Sequence, residues 1–129
     1  MMGIRSEIKT VLEAALTGAV AVYEFPVEVP VLPAVIVAPG DPYQTPLTFG
    51  KDGRASSIRW SMRISILEPR AEISTSLDAL EARRKEITDA LSEIPGAQWS
   101  EFDQVGEMTV ADVPAVGGTV GVTIRRGDE

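Results

Sequence analysis

The chain has 129 residues, of which 44% are apolar and 24% charged, a composition that predicts a single folded domain over residues 1–129. With 12 basic and 19 acidic side chains, its formal charge is -7, which argues against sequence-specific binding to nucleic acid. Cysteine and histidine are both absent, which excludes disulfides, cysteine nucleophiles, and the commonest general base and metal ligand.

The N-terminal segment has the apolar spacing of an amphipathic helix. Its apolar residues recur every three or four positions: Ile4, Ile8, Val11, Leu12, Ala15 and Leu16. Gly18 follows as a natural C-terminal stop, so a first helix is predicted here. Because Glu7 and Glu13 interrupt any apolar run, we expect neither a signal peptide nor a membrane span, and we expect synthesis in the cytoplasm.

The next segment, Val20 to Pro39, is rich in β-branched residues but is punctuated by proline. Pro26, Pro30 and Pro33 lack the N–H that a strand ladder needs, so any strand here is broken or lies at a sheet edge. Within it, Ala34 to Ala38 is predicted to form a short buried strand.

Residues Pro39 to Ser57 contain seven residues that favour turns: Gly40, Asp41, Pro42, Pro46, Gly50, Asp52 and Gly53. This density predicts a long loop without a regular element. Loops of this length in small domains are often functional, so the segment is a candidate contact surface.

The second half of the chain predicts a strand, a helix and a strand pair. Apolar residues from Ile58 to Ile66 alternate with polar ones, which predicts a strand that ends at Pro69. A Thr75–Asp78 capping box is predicted to open a second helix, with Glu81 and Lys85 paired on its wet side. The buried stripe of that helix is Leu77, Leu80, Ile87, Leu91 and Ile94, with Pro95 and Gly96 closing it. Two further strands, Val105 to Val113 and Val116 to Arg126, are expected to join through a tight connection from Pro114 to Gly118.

This order of elements predicts an α+β fold. An antiparallel or mixed sheet of about four to five strands, with two helices packed on one face, buries all of the predicted apolar stripes.

Reactive groups give little indication of catalysis. Six carboxylates are candidates for acid–base chemistry or metal binding: Asp41, Glu68, Glu72, Asp103, Glu107 and Asp112. None has motif spacing, and the serines have no histidine to activate them. We therefore predict no catalytic, cofactor or metal site, and a protein that is not an enzyme.

Several residues are instead candidates for contacts with other subunits. Asp41, Tyr43, Phe49, Lys51 and Arg54 lie in the predicted loop, where two aromatic side chains indicate burial against another molecule or against their own core.

Two further candidates, Arg59 and Arg63, lie on the polar face of the long strand. They either promote solubility or pair with an acidic neighbouring subunit. By its alternation, Trp60 belongs to the core, whereas Trp99 and Phe102 cover a sheet end or lie at a subunit boundary.

Taken together, the layout resembles the tail terminator proteins of long-tailed bacteriophages, especially those of actinobacterial siphophages. The likeness is carried by the helix Ile4 to Leu16, the run Leu-Pro-Ala-Val-Ile-Val-Ala-Pro-Gly-Asp-Pro-Tyr from Leu32 to Tyr43, the long strand with its following helix, and the ending Val105 to Arg126. It spans nearly the whole chain, but it consists of patterns of proline, glycine and apolar residues rather than reactive groups.

The resemblance implies a virion protein at the head-proximal end of the tail, and no cofactor. Such subunits form a hexameric ring that ends polymerisation of the tail tube protein and offers a surface to a head-completion or neck protein. Genomic DNA passes through the ring without sequence-specific binding, and no membrane is involved. An acidic wall suits this channel because it does not hold phosphates.

Two alternatives stay open from the sequence. The first is another neck or head-closure protein, which would meet the portal side rather than the tube. The second is a small cytoplasmic enzyme or ligand-binding domain, which would require a deep pocket with convergent polar groups.

Overall fold

Two helices cover one face of a five-stranded mixed sheet in the computed structural model, which describes residues 3–16, 18, 20–26, 30–49, 55–70 and 72–127. The elements, in chain order, are α1 (Ile4–Ala15), β1 (Ala21–Tyr23), β2 (Ala34–Phe49), β3 (Ala55–Pro69), α2 (Ile73–Leu91), β4 (Ala97–Val110) and β5 (Val113–Gly127). The strand order is β1-β2-β3-β5-β4, with β1 and β2 parallel and every other pair antiparallel. The predicted α+β class is confirmed.

Strand register places the large apolar side chains on the face that meets the helices. Ile64 of β3 lies between Val37 of β2 and Val120 of β5, and all three are fully buried. Ile8 and Leu12 of α1 and Leu80, Ile87 and Leu91 of α2 close over this layer. We call this the covered face. It is the predicted core, and it forms because alternate residues of a strand point to opposite sides of the sheet.

The other side of the same strands carries small and charged residues, and we call it the open face. Its central members are Ala38 of β2, Arg59, Ser61, Arg63 and Ser65 of β3, and Thr119, Gly121, Thr123 and Arg125 of β5. Neither described helix packs on it, since both belong to the cluster on the covered face.

The loop predicted from Pro39 to Ser57 is wrong over most of its length. Residues up to Phe49 continue β2, and β3 begins at Ala55. The prolines and glycine are accommodated by register shifts, of which the largest lies between Pro39 and Gln44. Bulges of this kind allow turn-favouring residues to remain within a ladder.

The connection predicted between the last two strands is also wrong. The turn lies at Ala111 and Asp112, whose φ angles of 48° and 66° are left-handed, and Pro114 to Gly118 lies within β5. Residues with φ > 0 at both central positions match the twist of a hairpin. Gly117 and Gly118 provide close packing instead, since an added Cβ would lie 2.7 Å from Met108 and 2.6 Å from Phe102, respectively.

Helix α2 begins before the predicted capping box. Glu72 occupies the N-cap position, so Thr75 and Asp78 both lie inside the helix. Lys85 pairs with Asp89 at 2.9 Å rather than with Glu81. Over the described ranges, neither helix has the combination of length and apolarity needed to cross a bilayer.

Candidate assembly surface

The predicted contact residues that the structure describes do not form a single site. Asp41 is exposed on β2, between the positions where the register shifts. Lys51 and Arg54 lie outside the described residues, as does the side chain of Phe49. Arg59 and Arg63 are on the open face, as predicted from their alternation.

Tyr43 packs on its own domain. Its ring lies 5.1 Å from that of Trp60 at an interplanar angle of 80°, an edge-to-face contact. Both rings are half-buried against the core. Of the two possibilities for Tyr43, burial against its own core is therefore the one observed. Trp60 lies against that core as predicted.

An arginine pair dominates one end of the open face. Arg59 of β3 is directly opposite Arg125 of β5, and both side chains are exposed. Like charges in opposed positions repel each other and destabilise the sheet. No hydrogen bond or ion pair to either guanidinium is found among the described residues. The sequence indicated Arg59 but not Arg125, because the pairing of these positions depends on strand register.

The two arginines line a shallow groove of about 610 Å³. Its lining residues are Leu47, Arg59, Gly96, Ala97, Gln98, Thr123 and Arg125, and we call it the arginine groove. Gly96 forms one wall because its φ of 80° lets the backbone approach Arg125 closely; an added Cβ would lie 2.6 Å from the Arg125 carbonyl oxygen. Two adjacent guanidiniums provide planar donors suited to carboxylates or other anions.

The third arginine of the open face has a partner. Arg63 Nη2 lies 3.7 Å from Asp103 Oδ1 of β4, and both side chains are a little under half exposed. Oδ1 itself is shielded from solvent and has no hydrogen bond among the described residues. This pair neutralises the middle of the open face and leaves the positive charge concentrated in the arginine groove.

The predicted carboxylate candidates are scattered. Glu68 is buried on the covered face, where its Oε1 accepts a hydrogen bond of 3.0 Å from Arg83 of α2. Arg83 also bonds to Glu86 at 3.1 Å, so this cluster joins the helix to the sheet. Glu107 pairs with Arg70 at 3.4 Å on the surface. No group of three or more acidic side chains with metal-binding geometry occurs among the described residues.

A second depression lies at the start of α1. It measures about 240 Å³ and is lined by residues that include Arg5, Glu24 and Phe25. Arg5 donates to the Glu24 carbonyl at 2.9 Å, and the Ser6 hydroxyl bonds to the Glu24 carboxylate. Its polar groups are therefore bonded to one another rather than directed into the depression.

The two aromatic residues of β4 lie on the side of the sheet that faces α2. Phe102 packs against the core, whereas Trp99 is 45% exposed and lies 5.3 Å beneath the guanidinium of Arg84. This cation–π contact ties α2 to the edge strand. Phe102 was expected at a sheet end or a subunit boundary, and it instead fills space beside Gly118.

Comparison of the sequence with protein-family models and with curated proteins finds no match.

Proposed function

We propose that the protein is a structural subunit of a phage tail that ends polymerisation of the tail tube and provides the surface for head joining. The proposal draws on the resemblance to tail terminator proteins, which implies a hexameric ring located in the virion. Its partners are further copies of the chain, the tail tube protein and a head-completion or neck protein.

The observation that carries the proposal is the size of the sheet. Its strands are longer than the helices that pack on them. Strands β2 to β5 contain 14 to 16 residues each, which at about 3.3 Å per residue corresponds to about 45–50 Å of chain. Helix α2, with 19 residues, extends about 28 Å at about 1.5 Å per residue. Both helices pack on the covered face, so they leave the part of the open face around Arg59 and Arg125 exposed, where a neighbouring molecule can pack against it.

The surface chemistry also favours assembly over catalysis. Both depressions are shallow, and the candidate carboxylates of the described residues do not converge in either one. A ligand-binding domain or enzyme of this size would use a concave pocket with convergent polar groups.

The deciding experiment is electron microscopy of particles made by a phage that lacks the gene for this chain. Overlong tails without heads are expected, because nothing then ends polymerisation of the tube. Normal tails beside leaking heads would assign the protein to the neck instead. Unchanged, infectious virions would overturn any structural role.

A further inference from the structure

The positive end of the open face has a counterpart on the opposite side of the subunit. Asp78 and Glu81 are exposed on the outer face of α2, and no ion pair to either is found among the described residues. The nearest lysine in the helix, Lys85, is engaged by Asp89 at 2.9 Å. The subunit thus presents two unneutralised arginines on its sheet side and two unneutralised carboxylates on its helix side.

The spacings expected for the two pairs overlap. Residues directly opposite in an antiparallel ladder have Cβ atoms about 4.5–5.5 Å apart, which applies to Arg59 and Arg125. Residues three apart on a helix have Cβ atoms about 5–6 Å apart, which applies to Asp78 and Glu81. Each guanidinium can therefore take one carboxylate, and charge-assisted pairs of this kind fix the register of an interface.

The shape of the helix surface permits the contact. Around the two carboxylates, the exposed positions of α2 include the small residues Thr75, Ala79 and Ala82. No bulky side chain on these positions would hold the helix away from a neighbouring sheet. The arginine groove is open and shallow, as a receptor for a helix ridge needs to be.

We propose that the arginine groove of one subunit binds Asp78 and Glu81 on α2 of a second copy of the chain, so that the copies associate sheet side to helix side. This inference rests on the proposed ring and names the two surfaces that meet in it. Because the surfaces differ, the contact is heterologous, and repetition of such a contact closes a ring when the rotation between subunits permits.

Strand pairing along the edge of β4 is less suited to association between copies of the chain. Edge strand β4 has two register shifts, between Trp99 and Glu101 and between Asp103 and Gly106, and Gln104 within the second has a φ of 56°. Bulges and edge carboxylates obstruct the addition of a strand from another molecule. The open face is therefore better suited than the β4 edge to contact an identical neighbour.

Charge exchange tests the proposal in the full-length protein, with sedimentation velocity over a range of concentrations. The wild type is expected to self-associate, and the association should weaken as salt shortens the Debye length from about 8 Å to about 3 Å. Arg59→Glu with Arg125→Glu should raise the dissociation constant by roughly tenfold or more, as should Asp78→Lys with Glu81→Lys. Combining all four changes in one chain, or mixing the two double variants, should restore association.

Two control variants test whether a change in association is specific to the arginine groove. Arg70→Glu reverses the charge of an exposed arginine outside the groove and should leave association as in the wild type. Arg125→Glu alone, the matched change inside the groove, should weaken association. Asp128→Asn with Glu129→Gln removes the carboxylates that follow Arg125 in the sequence and should also have no effect. Circular dichroism establishes that each variant is folded.

A wild type that stays monomeric at every concentration would overturn the proposal, as would folded reversal variants whose association the exchange fails to restore. None of these results would alter the gene-deletion phenotype, so failure of the contact and failure of the proposed function are distinguishable.

Discussion

The covered and open faces of the sheet are formed by alternate residues of the same strands, yet they differ in almost every property. On the covered face, Met62, Ile64 and Val122 are at most 1% exposed. Their neighbours in the sequence, Ser61, Arg63 and Thr123, are partly exposed on the open face. One face has the close-packed apolar character of a core, and around these residues the other has the polar character of a surface.

The two faces therefore contribute differently to the stability of the fold. The covered face stabilises the subunit, since burial of apolar area is the dominant favourable contribution to folding. The open face contributes little to that stability and even holds opposed like charges at Arg59 and Arg125. Substitutions on the two faces should therefore affect different measurements, and four predictions test this.

The largest effect is expected from a cavity on the covered face. Replacing Ile64, which is fully buried, by alanine should lower the free energy of unfolding by about 2–5 kcal/mol, because transfer energy is lost and a cavity remains. Urea denaturation measures this change. Ser65→Ala, the adjacent residue on the open face, should change stability by less than about 0.5 kcal/mol. Equal losses at the two positions would contradict the distinction between the faces.

A smaller loss is expected from the ion pair that joins α2 to β3. Glu68→Gln should destabilise the protein by about 2–3 kcal/mol, because Arg83 stays mostly buried and loses the charge of Glu68. Replacing both Glu68 and Arg83 by methionine should recover much of this loss, since neither buried charge remains. A double variant no more stable than Glu68→Gln would contradict this explanation.

Glycine substitutions should also differ between the faces. Gly118→Ala should cost about 1–2 kcal/mol, because the new Cβ would lie 2.6 Å from the Phe102 ring on the covered face. At Gly121 on the open face, the nearest atom would be the Ser100 hydroxyl at 2.7 Å, which can rotate away. Thermal unfolding should therefore show a smaller change for Gly121→Ala, and the reverse order would be inconsistent with the packing.

The smallest expected effect has the opposite sign. Arg125→Thr removes the repulsion with Arg59 and should raise the free energy of unfolding by about 0.2–1 kcal/mol at low salt. The gain should shrink at high salt, where exposed charges are screened. Low protein concentration is needed because self-association would stabilise the wild type alone. A loss of stability would indicate that Arg125 is bound within its own subunit.

Local periodicity predicted the elements that depend on one stretch of chain. The three- and four-residue spacing of Ile8 and Leu12 indicated α1, and the alternation around Ile64 indicated β3, because each pattern records a buried stripe. Proline and glycine were misleading in β2 and β5, where bulges and close packing accommodate them. The turn at Ala111 and Asp112 lacked the usual glycine or asparagine signal.

The arginine groove could be predicted only in part. Alternation placed Arg59 and Arg63 on the polar face, but nothing local to the sequence shows that Arg125 lies opposite Arg59 or that Asp103 reaches Arg63. Those relationships depend on the register of β3, β4 and β5, which is set by the turn and by the two bulges of β4. The residues that meet across neighbouring strands therefore cannot be predicted from the sequence of each strand alone.

The prolines of β2 have a consequence for the exposed edge of the sheet. Beyond the three residues of β1, the outer side of β2 meets no other strand among the described residues, and Pro39, Pro42 and Pro46 lie in that stretch. Proline cannot donate a backbone hydrogen bond, so a strand from another molecule would find an incomplete ladder there. Addition of strands from other molecules is therefore disfavoured along this edge, which lowers the tendency of the chain to form amyloid-like fibres.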